Sequence, residues 1–467
     1  MTAGPTVAVV GGGISGLAAA HRLRALLGPR AELTVLEQRE RIGGVLHTVD
    51  LAGVPFDVGA EAFLVRRPEV PALLAELGLT EQLVHPGPAA ASVRANRRTG
   101  PLPAGTLLGV PTSAARLDGL LSDAGLATVA AEPEQPLQWQ PGGDVALGGL
   151  LRARFGDELA DRLADPLLGG VYAGRVDALG LRATVPALAA ALDAGASSLT
   201  AAADAATPPA PASRAPGPVF GAVRGGYQVL LDALAAAART DLRLGTTVRE
   251  LARREAGWRL TLGPTTAPEA LDVDAVVLAV PAPAAARLLV GVAPAAARAA
   301  GDVELASSVV VALAFRPQDA AGLPSTSGVL VAADEPLSVK AVTHSTTKWS
   351  HLAPDGLVRL RASLGRFGEA ATLQADDAAL TARVRADLAT LAGITAAPVA
   401  VHVQRWGGGL PQYGVGHLDR VHTIEHGLPA GLAVAGSALH GVGVPACVAT
   451  GRAAAERVAA GLRSGPS

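Results

Sequence analysis

A glycine-rich turn near the N-terminus is the feature that most constrains the fold of this chain. The valine-rich run Val7–Val10 leads directly into Gly11-x-Gly13-x-x-Gly16, and a helix is predicted over Leu17–Leu27. A strand, a tight glycine turn and a helix in this order are typical of a parallel βαβ unit that binds a dinucleotide. The helix dipole and free N–H groups of such a turn favour a pyrophosphate. A glycine-rich turn in another kind of α/β protein is the alternative.

A second apolar strand is predicted over Ala31–Leu36, and it ends at Glu37. A carboxylate at this point accepts hydrogen bonds from both ribose hydroxyls, which argues against a 2′-phosphate. The predicted nucleotide contacts in this part of the chain are Gly11, Gly13, Ile14, Ser15, Gly16, Glu37 and Gln38.

The residues after Glu37 extend the pattern beyond that of simple dehydrogenases. Arg41-Ile42-Gly43-Gly44 is followed by Phe56–Ala60, and this arrangement resembles the E-x-x-x-R-x-G-G segment of the flavin-dependent amine oxidase superfamily. The resemblance implies that the arginine and the paired glycines lie along FAD. An arginine suits a pyrophosphate because its planar fork can bond two oxygens. A surface arginine beside an ordinary loop is the alternative.

The C-terminal part independently favours a flavin. An apolar strand ending at Gly436 precedes Gly441–Cys447, and a helix is predicted over Thr450–Leu462. In the flavin oxidases a segment of this kind returns to the N-terminal domain, with its N–H groups toward the flavin. A helix over Gln228–Ala238 and a buried strand over Asp274–Pro281 are also predicted. A strand over Leu242–Val248 resembles the one whose valine pairs with adenine. The further contacts implied for FAD are Arg41, Gly43, Gly44, Gly59, Ala60, Val248, Gly436, Gly443 and Val444.

Composition limits the alternatives. A chain of 467 residues predicts two or three domains, and its net charge of −2 gives no electrostatic case for nucleic acid as a partner. No secretory signal is expected before a strand that begins at Thr6. The single cysteine, Cys447, excludes an intramolecular disulfide and favours the cytoplasm. It is expected to be a buried residue rather than a nucleophile.

Several segments in the middle of the chain occur in a characteristic order. Together they resemble the oxygen-dependent protoporphyrinogen and coproporphyrinogen oxidases from about residue 6 to about residue 460, with a gap around Ser197–Pro218. Arg175 and Gly180 depart from the aspartate and serine of the family pattern. The matching segments are Leu102–Pro111, Arg154–Glu158, Pro166–Gly174, Lys348-Trp349, Arg405-Trp406, Pro411–His417 and Gly441–Cys447.

The resemblance implies an α/β fold of three parts. A Rossmann-like FAD-binding domain is expected to comprise 1–62, 219–292 and 420–467, and an α+β substrate domain to comprise 63–105, 206–218 and 293–419. A helical domain over 106–205 is expected to form a wall of the substrate channel, and in relatives this part can face the membrane. Thr207–Pro218, with five prolines, is predicted to be a poorly ordered connection.

The reaction implied is the six-electron oxidation of a porphyrinogen to a porphyrin, with oxygen as acceptor and peroxide released. The redox chemistry belongs to the flavin and the substrate, and no catalytic side chain is identified. Coproporphyrinogen III is favoured, as in soluble actinobacterial relatives, and protoporphyrinogen IX is the alternative. The implied partners are a porphyrinogen and oxygen, with transient contact to a ferrochelatase and peripheral contact with the inner face of the membrane left open.

Cations are expected to bind the propionates of such a substrate. The selected residues are Arg66, Arg67, Arg97, Lys348 and Arg405, with Arg98 and Lys340 in the same segments; solvated surface charge is the alternative for each. His417, His422, His426 and His440 are clustered, but no metal site is expected. Asp57 is expected to be structural rather than one of an acid–base pair with Glu61.

Two other classes of function stay open. Another flavin oxidase, of the amine oxidase or desaturase type, would share the cofactor motifs. Amine oxidases often use aromatic cages, and three tyrosines give little material for one. A non-catalytic flavoprotein that carries porphyrin would also fit, because the chemistry has no signature side chain.

Overall fold

The computed structural model describes residues 4–207 and 217–464, which form a mixed α/β fold. The connection predicted over Thr207–Pro218 lies almost entirely outside the described residues.

A parallel sheet of five strands carries the N-terminal motif. In spatial order its strands are Asp241–Arg243, Glu32–Leu36, Thr6–Val10, Ala275–Leu278 and Leu432–Val434. Along the central strand, Val7 and Val9 pack on one side of the sheet, and Ala8 and Val10 pack on the other. Both faces are covered, so the strand is apolar at consecutive positions rather than at alternate ones.

Three helices, Ile14–Leu27, Tyr227–Ala238 and Val444–Ser464, cover one face of this sheet. The opposite face packs on an antiparallel sheet of Val248–Arg253, Trp258–Leu262 and Glu269–Val273. The helices Ala282–Leu289 and Pro294–Gly301 complete that layer. The cofactor motif therefore joins elements from the start, the middle and the end of the chain.

The first helix begins at Ile14 rather than at Leu17, and the strand predicted over Asp274–Pro281 spans Ala275–Leu278. Two other predicted elements differ more. The predicted strand Leu242–Val248 is wrong as a single element, because it is interrupted at Gly245, which has a φ of +62°, and Val248 begins the antiparallel sheet instead. The C-terminal helix begins at Val444 rather than at Thr450. Pro445 does not prevent this, because N–H groups in the first turn of a helix have no intrahelical acceptor.

A second sheet has seven strands. In spatial order they are Ala400–Pro411, Leu305–Phe315, Val358–Leu364, Val339–His344, Gly328–Val331, Ala91–Ala95 and Arg98–Pro101. Only the pair Gly328–Val331 and Ala91–Ala95 is parallel among these. The helix Asp377–Ala392 covers one face through Leu380, Val384 and Leu388.

A helical region follows the short hairpin of Thr106–Leu107 and Val110–Pro111. Its helices are Asp123–Ala131, Leu147–Phe155, Asp157–Leu159, Asp165–Tyr172, Leu181–Thr184, Pro186–Asp193 and Leu199–Ala206, with a π-helical stretch over Ala160–Ala164. Glu132 is fully buried within it, and its Oε1 atom accepts from Nη2 and Nε of Arg154 at 2.7 and 2.9 Å. The same carboxylate accepts from the backbone N–H groups of Leu199 and Thr200. The buried Glu132 carboxylate thus fixes the start of the helix Leu199–Ala206.

Several shorter strands and helices lie between these larger elements. They are the strands Thr48–Asp50, Pro55–Asp57, Phe63–Leu64, Leu83–Val84, Thr106–Leu107, Val110–Pro111 and Phe220–Val223, and the helices Glu69–Glu76, Ser345–Lys348 and His417–His426. Within the ranges described, no helix has the length and apolar content needed to cross a bilayer.

Candidate active site

The glycine-rich turn joins the central strand to its helix. A Cβ on Gly11, which has a φ of +110°, would lie 2.3 Å from the carbonyl oxygen of Ala279. A Cβ on Gly16 would lie 1.9 Å from the carbonyl oxygen of Gly11. At Gly13, by contrast, the nearest atom would be the Cα of Gly44 at 3.9 Å. Gly11 and Gly16 are therefore needed for packing, whereas Gly13 leaves the turn open on one side.

The loop after the second strand lies against this turn. The amide of Gly43 donates to the carbonyl oxygen of Gly12 at 2.8 Å. Arg41 donates three hydrogen bonds of 2.8 to 3.0 Å to carbonyl oxygens of its own loop. Its guanidinium therefore holds the shape of the loop from within, and its direct contact with a pyrophosphate stays a prediction.

Glu37 is buried at the C-terminal end of the second strand. Its Oε2 atom accepts from the amide of Gly12 at 2.7 Å, and its Oε1 atom accepts from the amide of Arg39 at 2.9 Å. A carboxylate has about four acceptor positions, so these bonds leave positions for ribose hydroxyls. The neighbouring Gln38 is exposed.

The N-termini of two helices meet beside the turn. A Cβ on Gly451 would lie 2.2 Å from the carbonyl oxygen of Ser15, so the first and last helices cross in close contact. Cys447 contacts the Ser15 side chain, and burial raises the pKa of its thiol to about 11. The first-turn N–H groups of Ile14 and Val444 have no intrahelical acceptor, and each helix end is positively polarised. Backbone donors, open glycines and two positive helix ends fit the pyrophosphate of a dinucleotide.

The other residues predicted to contact FAD have varied surroundings. A Cβ on Gly436, which has a φ of +131°, would meet no atom within 4 Å, so its surroundings are open. A Cβ on Gly59 would lie 1.9 Å from a carbonyl oxygen, which makes this glycine a packing requirement. Ala60 is half-buried and Gly443 is exposed. Val248 is half-buried and pairs with a strand of the antiparallel sheet.

The cations selected for propionates are not brought together. Arg66 and Arg97 are exposed, and Arg67 is paired with Glu69 at the surface. Arg405 donates to two carbonyl oxygens and to Asp377, so its guanidinium has a structural role. The remaining members have separate surroundings: Lys348 forms an ion pair with Glu61 at 2.5 Å, Arg98 is exposed, and Lys340 is buried.

The comparisons with known proteins decide the family. The model of the flavin containing amine oxidoreductases matches residues 14–459. The chain belongs to this family. The match confirms the predicted flavin cofactor and the fold class at the level of a mixed α/β flavin oxidoreductase.

Individual relatives give finer information. The chain is 48% identical to the coproporphyrinogen III oxidase of Mycobacterium tuberculosis over 446 residues, which are 95% of each chain. It is 30% identical to the Bacillus subtilis protein of the same name, covering 96% of each. A crystal structure of a putative protoporphyrinogen oxidase from Exiguobacterium sp. superposes with a TM-score of 0.84 at 31% identity, over 98% of this chain and 99% of that one.

Asp57 and Glu61 are two acids that follow the Arg41–Gly44 loop in the sequence. Asp57 accepts from the Thr48 hydroxyl at 2.6 Å and from the amide of Tyr227, which ties a turn to the strand hairpin. Burial raises the pKa of Asp57 to about 7. Burial also favours the neutral form of Glu61, but the charges of Lys348 and Arg361 outweigh it and lower the pKa of Glu61. These contacts support a structural role for Asp57.

The clustered histidines are used within the protein. His422 and His426 stack on each other, His417 bonds the carbonyl oxygen of Leu439, and His440 contacts Glu425. Residues 4–207 and 217–464 contain no group of three or more metal-ligating side chains with suitable placement.

Sequence reasoning missed a further set of buried charges. Arg366 and Asp165 are nearly buried and lie 3.8 Å apart. Arg366 follows a strand of the second sheet, and Asp165 begins a helix far from it in sequence. Neither residue lies in a recognisable motif. The one sequence signal of buried charge in this region is Lys340, a charged residue within an otherwise largely apolar strand.

Proposed function

We propose that this protein is an FAD-dependent oxidase that converts coproporphyrinogen III to coproporphyrin III in heme biosynthesis. The observation that carries the proposal is the 48% identity, over 95% of both chains, to a coproporphyrinogen III oxidase. The glycine turns at Gly11–Gly16 and Gly43-Gly44 and the paired helix N-termini support an FAD cofactor, because they offer backbone N–H donors to a pyrophosphate.

The chain's own residues bind and orient the cofactor. The N–H groups near Gly13 and Val444 would hold the pyrophosphate and the flavin end, and Glu37 would accept from the ribose hydroxyls. The further contacts proposed are Gly11, Ile14, Ser15, Gly16, Gln38, Arg41, Gly43, Gly44, Gly59, Ala60, Val248, Gly436 and Gly443.

In this proposal the two sheets and the helical region bind different molecules. The parallel sheet carries FAD, the seven-stranded sheet and the helical region enclose the substrate, and the division follows the predicted domain ranges. A bound flavin supplies a two-electron oxidation, so each substrate molecule requires three turnovers. With oxygen as the acceptor, three molecules of hydrogen peroxide would leave per porphyrin. The protein's contribution is to hold the macrocycle and exclude competing reactions.

Protoporphyrinogen IX is the second candidate substrate. The similarity to the Exiguobacterium protein, a putative protoporphyrinogen oxidase, favours it. The two substrates differ where two propionates of one are vinyl groups in the other. Preference between them is therefore a matter of which charged side chains face the macrocycle.

The decisive experiment uses the purified full-length protein. A flavin absorption spectrum is recorded, and porphyrin fluorescence is followed in air with each porphyrinogen, while oxygen consumption and peroxide are measured. Faster formation of coproporphyrin with three peroxides per porphyrin supports the proposal. Absence of flavin would overturn it, faster protoporphyrin formation would reverse the substrate, and flavin without porphyrin formation would favour a carrier or another oxidase.

The proposed location is the cytoplasm. It is supported by the use of a single buried cysteine. Contact with a ferrochelatase or with the membrane face is tested by co-sedimentation with each, using the holoprotein; recovery only in the supernatant would argue against both.

A further inference from the structure

The loop 435–443 joins the last strand of the parallel sheet to the helix Val444–Ser464. It includes Gly436 and Gly443, two of the residues proposed to contact the flavin, and it contains no helix or strand. At Gly436 and Gly441 the φ angles are +131° and +146°, which glycine adopts more readily than other residues. Because the loop has no regular structure of its own, contacts from other elements have to hold its shape.

Tyr413 and His417 each bond a carbonyl oxygen of this loop. The Tyr413 hydroxyl donates to the carbonyl oxygen of Ser437 at 2.5 Å. Atom Nε2 of His417 lies 3.0 Å from the carbonyl oxygen of Leu439. Since a carbonyl oxygen can only accept, Nε2 carries the proton in this contact. The backbone N–H of Gly441 donates toward the Tyr413 hydroxyl as well. Two side chains thus hold the loop at three points.

The two side chains form a buried stack. Their ring centroids lie 3.8 Å apart, with 15° between the ring planes. Only 2% of Tyr413 and 1% of His417 is exposed. Burial raises the pKa of the Tyr413 hydroxyl and lowers the pKa of the His417 imidazole, so both groups are held in their neutral forms. The pair is therefore a fixed, uncharged support for the loop.

Tyr413 also contacts the two other parts of the molecule. It follows the strand Ala400–Pro411 of the seven-stranded sheet. Its carbonyl oxygen accepts from the amide of Gly180 in the helical region at 2.7 Å. Its ring lies 5.4 Å from the ring of Tyr172, centroid to centroid. The support for the loop 435–443 is thus anchored in the sheet and in the helical region, outside the parallel sheet that carries the dinucleotide motif.

We propose that Tyr413 and His417 are positioning residues for the flavin, which keep the loop 435–443 in the shape that directs its backbone N–H groups to the cofactor. The inference rests on the FAD site of the proposed function and deepens it. Reduction adds electron density to the flavin ring, so N–H donors beside the ring stabilise the reduced form more than the oxidised form. Loss of the support should therefore weaken FAD binding and lower the reduction potential.

The first test compares two tyrosines that contact each other. Tyr413→Phe removes the hydroxyl that bonds the loop. Tyr172→Phe is the matched control, because the Tyr172 hydroxyl makes no hydrogen bond within residues 4–207 and 217–464. The dissociation constant of FAD is measured from the flavin released on dilution of the holoprotein. The reduction potential of the bound flavin is measured by equilibration with a reference dye.

The expected effect is that of one lost hydrogen bond. The dissociation constant should rise about threefold to tenfold in Tyr413→Phe and less than about twofold in Tyr172→Phe. The two-electron potential should fall by about 30 mV for each tenfold by which binding of reduced FAD weakens more than binding of oxidised FAD. An unchanged dissociation constant and potential in Tyr413→Phe, or the same changes in both variants, would overturn the inference.

His417 provides a second test that does not depend on the folding of Tyr413→Phe. His417→Gln keeps an N–H donor for the Leu439 carbonyl oxygen, whereas His417→Leu has none, so the potential should fall more in His417→Leu. Equal potentials in these two variants would argue against positioning by the hydrogen bond. An unmodified holoprotein that retains FAD but does not oxidise coproporphyrinogen would instead overturn the proposed function alone.

Discussion

The Oε2 atom of Glu37 lies 2.7 Å from the amide nitrogen of Gly12, inside the turn that opens the dinucleotide site. One carboxylate therefore supports the glycine-rich turn and occupies the position expected for ribose recognition. The contact with Gly12 is its role within the protein, and acceptance from the ribose hydroxyls is its proposed role toward FAD.

Glu37→Ala is expected to lower flavin retention. The substitution removes the acceptor for Gly12 and the proposed acceptor for the ribose, each a charge-assisted hydrogen bond worth about 1.5 to 3 kcal/mol. The flavin-to-protein absorbance ratio after gel filtration and the dissociation constant of FAD measure the effect, with Glu32→Ala, an exposed residue at the other end of the same strand, as control. Flavin occupancy equal to that of the unmodified protein would show that the ribose contact is misassigned.

Much of the cofactor part could be predicted from sequence because its constraints are local. Gly11 and Gly16 are required by contacts of 2.3 Å or less with nearby backbone, so they appear as a motif. The division of the predicted strand at Gly245 was not foreseeable, because alternation of apolar residues continues across the break. Arg405 resembled a ligand residue, yet its guanidinium is used on a neighbouring loop. Arg366 and Asp165 are brought together only by the tertiary fold, so no spacing along the sequence predicts their contact.

Gly451→Val is expected to destabilise the crossing of the first and last helices. A Cβ there would lie 2.2 Å from the Ser15 carbonyl oxygen, so the helices must separate, at a cost of about 1 to 3 kcal/mol. Both helix N-termini would shift, and FAD affinity should fall as well. The unfolding midpoint in urea and FAD titration are the measurements. Gly461→Ala in the same helix is the control, since its Cβ would make only an ordinary contact at 3.7 Å; equal stability of the two variants would contradict the argument.

Arg154→Met is expected to destabilise the helical region strongly. Glu132 would stay fully buried without its cation, and breaking a buried ion pair costs about 3 to 5 kcal/mol. Denaturant unfolding followed by circular dichroism measures the loss. The double variant Arg154→Met with Glu132→Gln should recover part of it, because a neutral amide is cheaper to bury than a carboxylate. A single variant as stable as the unmodified protein would show that the pair is not required.

Asp57 is expected to make folding stability fall as pH rises from about 4 to about 7. Burial raises the pKa of this acid to about 7 in the folded protein, above its value of about 3.9 in unfolded chains. Between these values the folded state binds more protons than the unfolded state, so the free energy of unfolding decreases with pH and levels off above 7. Asp57→Asn keeps an oxygen acceptor for Thr48 and Tyr227 and should flatten this dependence. Urea unfolding at several pH values measures the slope, with Asp50→Asn in the same hairpin as control, and an unchanged slope in Asp57→Asn would contradict the assignment.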